Sequence, residues 1–255
     1  MEHIQFAVSK HVATITLNRP EKLNTVTPAM SDALIAHIGE CNQREDVRVL
    51  VLTGAGEKAF CAGSDIAELD SYDSPWAFRN RPDYCDAIRS SRKPIVCAIN
   101  GYALGGGLET AMSCDIRIAA DHARLGSPEV KLGWIGGGGM AYMLAHSIGP
   151  SNAAIMLMGG DPVSAQQALQ WGLVSELHPA AQLVQRAQEI AATVAMRPPV
   201  AVETAKANLR AAYTMPLEMA IQYERDLQTV CFATEDAAEG RAAFKQKRTA
   251  VFKGR

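Results

Sequence analysis

The 255-residue chain carries six cysteines, Cys41, Cys61, Cys85, Cys97, Cys114 and Cys231, but no CxxC pair and no spacing that would frame disulfides. Cys61, Cys97 and Cys114 stand in apolar or Gly/Ala surroundings, the setting of small buried fillers. That usage fits a reducing, cytoplasmic compartment. The six histidines contain no HExxH or comparable spacing, so no metal centre is expected. No apolar run approaches the ~20 residues a membrane helix needs. The N-terminal MEHIQFAVSK lacks the cationic start and continuous apolar core of a signal peptide. Charge of one sign is missing as well: 25 Lys+Arg against 27 Asp+Glu leaves a net charge of −2. Neither a nucleic-acid nor a membrane-surface role is favoured by that balance, and an anionic ligand has to be held by a local site. No internal repeat or low-complexity segment occurs. With 48% hydrophobic and 20% charged residues, the chain can build a substantial core as one domain or as a domain plus an extension.

The most informative stretch is Asn100–Asp115, NGYALGGGLETAMSCD. It follows a buried-strand run, Pro94 to Ile99. Three glycines, Gly105 to Gly107, then turn the backbone without side chains, and Leu108–Ser113 resumes with helix formers and Glu109 in the first turn. A new helix N-terminus leaves N–H groups unpaired, and bare glycines let a ligand approach them. One reading is an oxyanion hole with a carboxylate one turn away to move protons. The other is a tight turn with Glu109 complementing the helix dipole, the commoner outcome for such a stretch alone.

Along the chain, Ile4–Val8 and Val12–Leu17 alternate as a hairpin around Ser9-Lys10-His11. A loop with Arg19 and Lys22 follows. Thr27 caps a helix with Pro28 at its first position and Ala29–Gln43 as its body. Val47–Thr53 reads as a buried strand. Gly54-Ala55-Gly56-Glu57-Lys58-Ala59 matches GxGxxA, but Phe60-Cys61-Ala62-Gly63 stays extended where a dinucleotide site needs a helix. The sharper feature is Ala62-Gly63-Ser64-Asp65, a second glycine turn before a short helix, Asp65–Leu69. The N–H of Ser64 is a second candidate donor there, with simple N-capping by Ser64 or Asp65 as the ordinary alternative.

Ser71–Ser90 predicts one helix, near Tyr84–Ser90. Asp115–Ala120 is a strand, and Pro128-Glu129 opens a short helix. Gly136–Gly139 precede a helix over Met140–Ile148 that is apolar on most faces and expected to be buried. Ser164–Gln167 is a capping box, Gly172 a helix stop, and Leu173–Leu177 a strand. Helices follow over Ala181–Met196, Val200–Ala212, Pro216–Phe232 and Glu235–Lys247. Arg197-Pro198-Pro199 divides an αβ core, 1–197, from a helical tail, 198–255.

With these segments assembled, the chain resembles the crotonase superfamily, the enoyl-CoA hydratase/isomerase family. The resemblance runs through LNRPEKLN (17–24), LTGAGEKAFCAGSDI (52–66), KPIVCAINGYALGGGLETAMSCDIRIA (93–119), SPEVKLG (127–133), SAQQALQWGLV (164–174) and TEDAAEGRAAFKQKR (234–248). Six motifs in order across nearly the whole length make it specific. It implies an α/β spiral of repeated ββα units with a helical C-terminal region used in trimerisation, as a trimer or a dimer of trimers. It maps an oxyanion hole onto the N–H groups of Ser64 and Gly106, where an acyl-CoA thioester oxygen would sit.

The same resemblance places the two hydratase acids at Glu109, for water activation at Cβ, and Glu129, for proton delivery at Cα. Gly137 matches the glycine that orients the water. CoA contacts are implied for Lys22, Ala62, Ser64, Asp65, Ile66, Ala67, Gly106, Trp134 and Lys253, with no other cofactor, since coenzyme A is part of the substrate. A carboxyl that donates near neutral pH wants a raised pKa, which an apolar wall such as Trp134 would provide. Three departures stand out. Gly136 replaces the usual proline, Met140-Ala141-Tyr142-Met143 a Gly-Thr-Gln-Arg run, and Ala67 a frequent lysine, for which Arg19, Lys22 or Lys253 would compensate. The expected activity is hydration of a 2-trans-enoyl-CoA. A double-bond isomerase of the same fold and a non-catalytic homologue binding CoA thioesters or RNA are the alternatives.

Overall fold

A computed structural model describes residues 3–69 and 72–255. Met1, Glu2, Asp70 and Ser71, which belong to the N-terminal and Ser71–Ser90 readings above, lie outside the described residues. The chain opens with strands β1 (Ile4–Ser9) and β2 (Val12–Leu17), paired antiparallel with Ser9 opposite Val12. The two-residue turn puts Lys10 and His11 at φ 48° and 68°, the double positive φ that matches the twist of a tight hairpin. Helix α1 (Pro28–Gln43) starts where Thr27 accepts the Met30 N–H and Pro28 sits at the first helical position.

The middle of the chain alternates between two sheets. Strand β3 (Val49–Gly54) is followed by the short β4 (Ala59–Cys61) and helices α2 (Ile66–Leu69), α3 (Pro75–Arg79) and α4 (Tyr84–Ser90). Strand β5 (Ile95–Ile99) leads to β6 (Tyr102–Leu104) and α5 (Gly106–Ser113). Strand β7 (Ile116–Ala120) leads to β8 (Arg124–Gly126), a 3-10 turn at Pro128–Leu132 and α6 (Met140–Gly159). Then come β9 (Val163–Ser164), α7 (Ala165–Trp171), β10 (Glu176–His178), α8 (Ala180–Ala195), α9 (Pro199–Ala211), α10 (Leu217–Phe232) and α11 (Glu235–Gln246).

The long strands form a six-stranded sheet in the order β1-β2-β3-β5-β7-β10, parallel from β2 onward. The short ones form a four-stranded sheet, β4-β6-β8-β9. Each passage from one sheet to the other ends in a turn and a helix, which is the expected ββα repeat. β3 and β5 are buried along their whole length, as parallel strands covered on both faces must be. Helix α8 covers β2, β3, β5, β7 and β10 with Leu183, Ala187, Ala191 and Ala195, one stripe at a four-residue spacing. Helix α4 packs between α1 and α5; α1 also touches β1, and α5 touches β4 and β6 of the short sheet.

The tail is tied down in two places. Lys206 on α9 donates to the Lys93 carbonyl at 2.9 Å and to the Asp115 carboxylate at 2.7 Å, and Asp115 also receives the Ile95 N–H. Arg48, just before β3, donates to the carbonyls of Ala195 and Phe252. No helix among the described residues is long and apolar enough to cross a membrane.

Several expectations change. A helix at Pro75–Arg79, capped by Ser74, adds to the one expected near Tyr84. The strand expected over Leu173–Leu177 lies at Glu176–His178, because the Gly172 and Leu173 amides still close the preceding helix. The helix expected to be buried over Met140–Ile148 hides only Met140, Leu144 and Ile148 deeply, while Ala141, Tyr142 and His146 face outward. It continues to Gly159 across a break at Gly149 (φ 78°, ψ 157°) ahead of Pro150.

Candidate active site

Two glycine turns meet at one end of the structure. The first lies between β4 and α2, the second between β6 and α5. An ideal Cβ on Gly63 (φ 100°) would stand 3.1 Å from the Leu104 carbonyl and 3.3 Å from the Gly106 nitrogen, so only glycine lets the two backbones touch. Around the first turn the amides are accounted for almost one by one. Ala62 donates to Leu23, Asp65 to Val26, and Ala67 to the Asp65 carboxylate. The Ser64 N–H has no acceptor among the described residues, and neither has that of Gly106, the first residue of α5. An ideal Cβ on Gly106 would lie 3.6 Å from the Ser64 nitrogen. Two half-buried free donors therefore sit side by side at a helix N-terminus.

Glu109 follows one turn into α5 and is buried. Its Oε1 accepts the Gly138 N–H at 2.7 Å. Burial pushes its carboxyl up to about 7, with the Gly138 amide pulling the other way and the nearby Glu129 and Asp83 charges adding to the rise. Glu129, also buried, is held by the Ser127 hydroxyl at 2.9 Å and lies against Gly105, whose ideal Cβ would be 3.1 Å from Oε1. Glu129 thus packs on the turn that exposes the Gly106 amide, and Glu109 stands on the helix that follows, close enough for the two acids to act on each other. A cleft of about 240 Å³ opens in front, lined by Val26, Ser31, Ser64, Tyr72, Tyr84 and Glu109 among others.

The remaining expected residues divide. Asp65 stays at the cleft, its carboxyl held below the usual carboxylate range first by the Arg19 guanidinium at 2.6 Å. Arg19 also donates to Thr25, so its guanidinium is committed within this loop. Lys22 is exposed at the end of the Pro20–Lys22 turn, near enough to act on Asp65. Buried Asn24 braces that loop by donating to the Ala55 and Ala59 carbonyls. Ile66 and Ala67 are exposed beside it.

Two residues depart from expectation. Trp134 is 42% exposed, and it is burial that raises the Glu109 carboxyl. Lys253 lies at the other end of the sheet. Its N–H donates to Asp236, and the neighbouring Phe252 carbonyl is held by Arg48 at the start of β3, whereas the cleft is at the end of that strand.

Gly137 is exposed with open space at its Cβ position; the amide on Glu109 is that of its neighbour, Gly138. The glycine run itself has a steric reason. Ideal Cβ atoms on Gly136 and Gly138 would fall 2.7 and 2.8 Å from the Glu109 oxygens, so the residue replacing the usual proline leaves room for this carboxylate. Sequence reasoning did not find Arg89, which donates to the Gly138 carbonyl at 2.5 Å. An arginine in a helix of mixed composition gives no local signal of what it reaches.

Comparison with known proteins gives the same picture. The sequence profile of the enoyl-CoA hydratase/isomerase family matches residues 7–255. The chain is 36% identical to the 2,3-dehydroadipyl-CoA hydratase of Escherichia coli (strain K12) over 256 aligned residues, covering 100% of both chains. It is 38% identical to the (E)-benzylidenesuccinyl-CoA hydratase of Thauera aromatica, covering 98% of this chain and 99% of that one. Among solved structures, the enoyl-CoA hydratase of Bacillus anthracis superposes with a TM-score of 0.94 at 35% identity, over 100% of both chains. With two sheets in ββα repeats, paired glycine turns and full-length relatives of this kind, the chain belongs to the enoyl-CoA hydratase/isomerase family.

Proposed function

We propose that this enoyl-CoA hydratase adds water reversibly to a 2-trans-enoyl-CoA, with Glu109 and Glu129 moving the two protons. The thioester oxygen docks on the Ser64 and Gly106 amides. Glu109, ionised, takes a proton from water as its oxygen bonds to Cβ. The π electrons pass into the thioester as an enolate. Glu129, entering the step protonated, gives its proton to Cα, and exchange with solvent water returns the two carboxyls to their starting states. Each backbone donor aimed at the developing oxyanion contributes roughly 3 kcal/mol. The observation that carries this reading is a pair of buried, mutually interacting acids beside the Gly105 turn, which ends in a free amide. Gly137 is the amide we assign to the water, and Lys22, with the 62–67 segment, the contacts of coenzyme A. The step calls for no further cofactor.

Assembly as a trimer or a dimer of trimers through residues 198–255 belongs to the same reading. What supports it is α10, sixteen residues long without a buried one, and the exposed Leu217, Met219, Phe232 and Phe244. Six unpaired cysteines support a cytoplasmic setting.

The test is loss of the conjugated enoyl-thioester absorbance with crotonyl-CoA. Glu109→Gln and Glu129→Gln should each fold, bind acyl-CoA and lose at least ~10²-fold in kcat, since each removes a proton-transfer group. Crotonyl-CoA left unchanged by the wild type would turn the assignment to an isomerase or a non-catalytic thioester binder. Near-wild-type turnover in either variant would remove that acid from the mechanism.

A further inference from the structure

Gly136–Gly139 is the least constrained backbone a chain can present, and it carries the amide that holds Glu109. Glycine has the most conformational freedom to lose on ordering, so something has to fix this loop. Apart from Glu109 itself, one side chain hydrogen-bonds to this loop among the described residues. Arg89, from α4, donates through Nη1 to the Gly138 carbonyl at 2.5 Å and to the Ser113 hydroxyl at 3.2 Å. Ser113 in turn donates to the Glu109 carbonyl at 2.7 Å, one turn below the acid on α5. Asp86, three residues before Arg89, pairs with Nη2 and orients the guanidinium. One cation therefore spans the loop that grips the Glu109 carboxylate and the helix that carries it.

We propose that Arg89 is a positioning residue for hydration: it pins the four-glycine loop to α5 so that the Gly138 N–H stays on Glu109. This rests on the proposed role of Glu109 as the base for water. A charge-assisted hydrogen bond to a carbonyl is among the stronger ones available for such a clamp. Bringing a base into line within a fraction of an ångström is worth orders of magnitude in rate. The charged groups near Glu109 are Glu129 beside the Gly105 turn, Asp83 at the cap of α4, Arg81 in the wall of the same cleft, and Arg89 with its partner Asp86. Releasing the loop removes the Gly138 hydrogen bond, which favours the carboxylate, and so raises the Glu109 pKa.

Arg89→Met is the first variant. The Glu109 side-chain carboxyl is followed by carbon-13 NMR against pH in the substrate-free protein, and kcat and KM for crotonyl-CoA are measured across the same range. The titration should move up from about 7 by about one unit, and kcat at pH 7 should fall roughly 10- to 100-fold with KM nearly constant. The acid limb of the rate profile should follow the titration. Arg89→Lys, which keeps the charge but lacks the fork to span Gly138 and Ser113, should fall between, and it serves if the methionine variant does not fold. An unmoved titration with an unmoved pH profile overturns the proposal. A moved titration with unchanged turnover leaves Arg89 as the residue that sets this carboxyl, and instead overturns the assignment of Glu109 to the chemistry.

Discussion

At the residue scale, the molecule keeps an ionisable acid where it is costly. Glu109 is 7% exposed and titrates near 7 instead of 4.5 because burial disfavours its charged form. Below about 4.5 it is neutral whether folded or unfolded, so nothing is lost. Between 4.5 and 7 the unfolded chain gives up the proton and the folded one keeps it, so stability falls as pH rises through this window. Above about 7 the full penalty, on the order of 3 kcal/mol, is present. Glu109→Gln should therefore raise the melting temperature clearly at pH 8 and little at pH 4.5, while abolishing most turnover. Equal melting shifts at both values would show that the carboxyl is not held in this way. The same ionisation shapes catalysis: with Glu109 as the base, kcat/KM for hydration should drop below about pH 7. A site that destabilises the protein where it works is what a catalytic carboxylate demands.

At the element scale, the position of α5 decides whether the two free amides face one site. Its N-terminus packs directly on β4: an ideal Cβ on Gly107 would stand 2.0 Å from the Cys61 carbonyl oxygen. That neighbour is strand backbone and cannot swing aside, so Gly107→Ala has to lift the helix from the sheet. It should cost about 1–3 kcal/mol or more, read as a lowered denaturation midpoint, and should reduce kcat with it. Ser64→Ala, on the facing turn, leaves its N–H in place and should change kcat less than about threefold, since the donor is backbone. A loss of two orders of magnitude in a folded, CoA-binding Ser64→Ala would assign the hydroxyl itself to the chemistry. Elsewhere the element ends were readable because caps are local. Thr27 before Pro28, Ser164 bonded to the Gln167 amide, and Gly172 in the left-handed region stand where the sequence put them. The helix break at Gly149 and the small helix at Pro75 were missed, since a Gly-Pro pair inside an apolar run and a lone Ser-Pro are weak signals against their surroundings.

At the scale of the whole molecule, the tail is held to the core by few polar ties while much apolar surface stays open. Lys206 and Asp115 form one such tie, with Lys206 side-chain exposure only 5%. Removing one partner of a pair so buried costs about 3–5 kcal/mol, so this contact secures α9. It does nothing for α10, from which Leu217, Met219, Val230 and Phe232 protrude with exposures of 54–71%. A second copy of the chain is the covering we expect. The intact protein should show the mass of a trimer or hexamer by light scattering, and Phe232→Asp with Met219→Asp should shift it toward monomer. A monomeric mass for the unaltered protein would sink the assembly proposal.

The sequence by itself determined the run of strands and helices and the glycine turns, because each leaves a local mark: a buried run, a residue without Cβ, a cap; the ββα spiral and the pairing of Glu109 with Glu129 came from the resemblance to the family. The sequence also marked both ends of most helices. Tertiary structure alone decided that the Glu109 carboxyl is raised, since burial is a property of packing. It decided that Lys253 sits at the far end of the sheet from its own chain's cleft. And it alone brought Arg89 to Gly138, forty-nine residues apart, because long side chains on a helix surface find partners through the stacking of α4, α5 and the glycine loop, which no spacing in the sequence records.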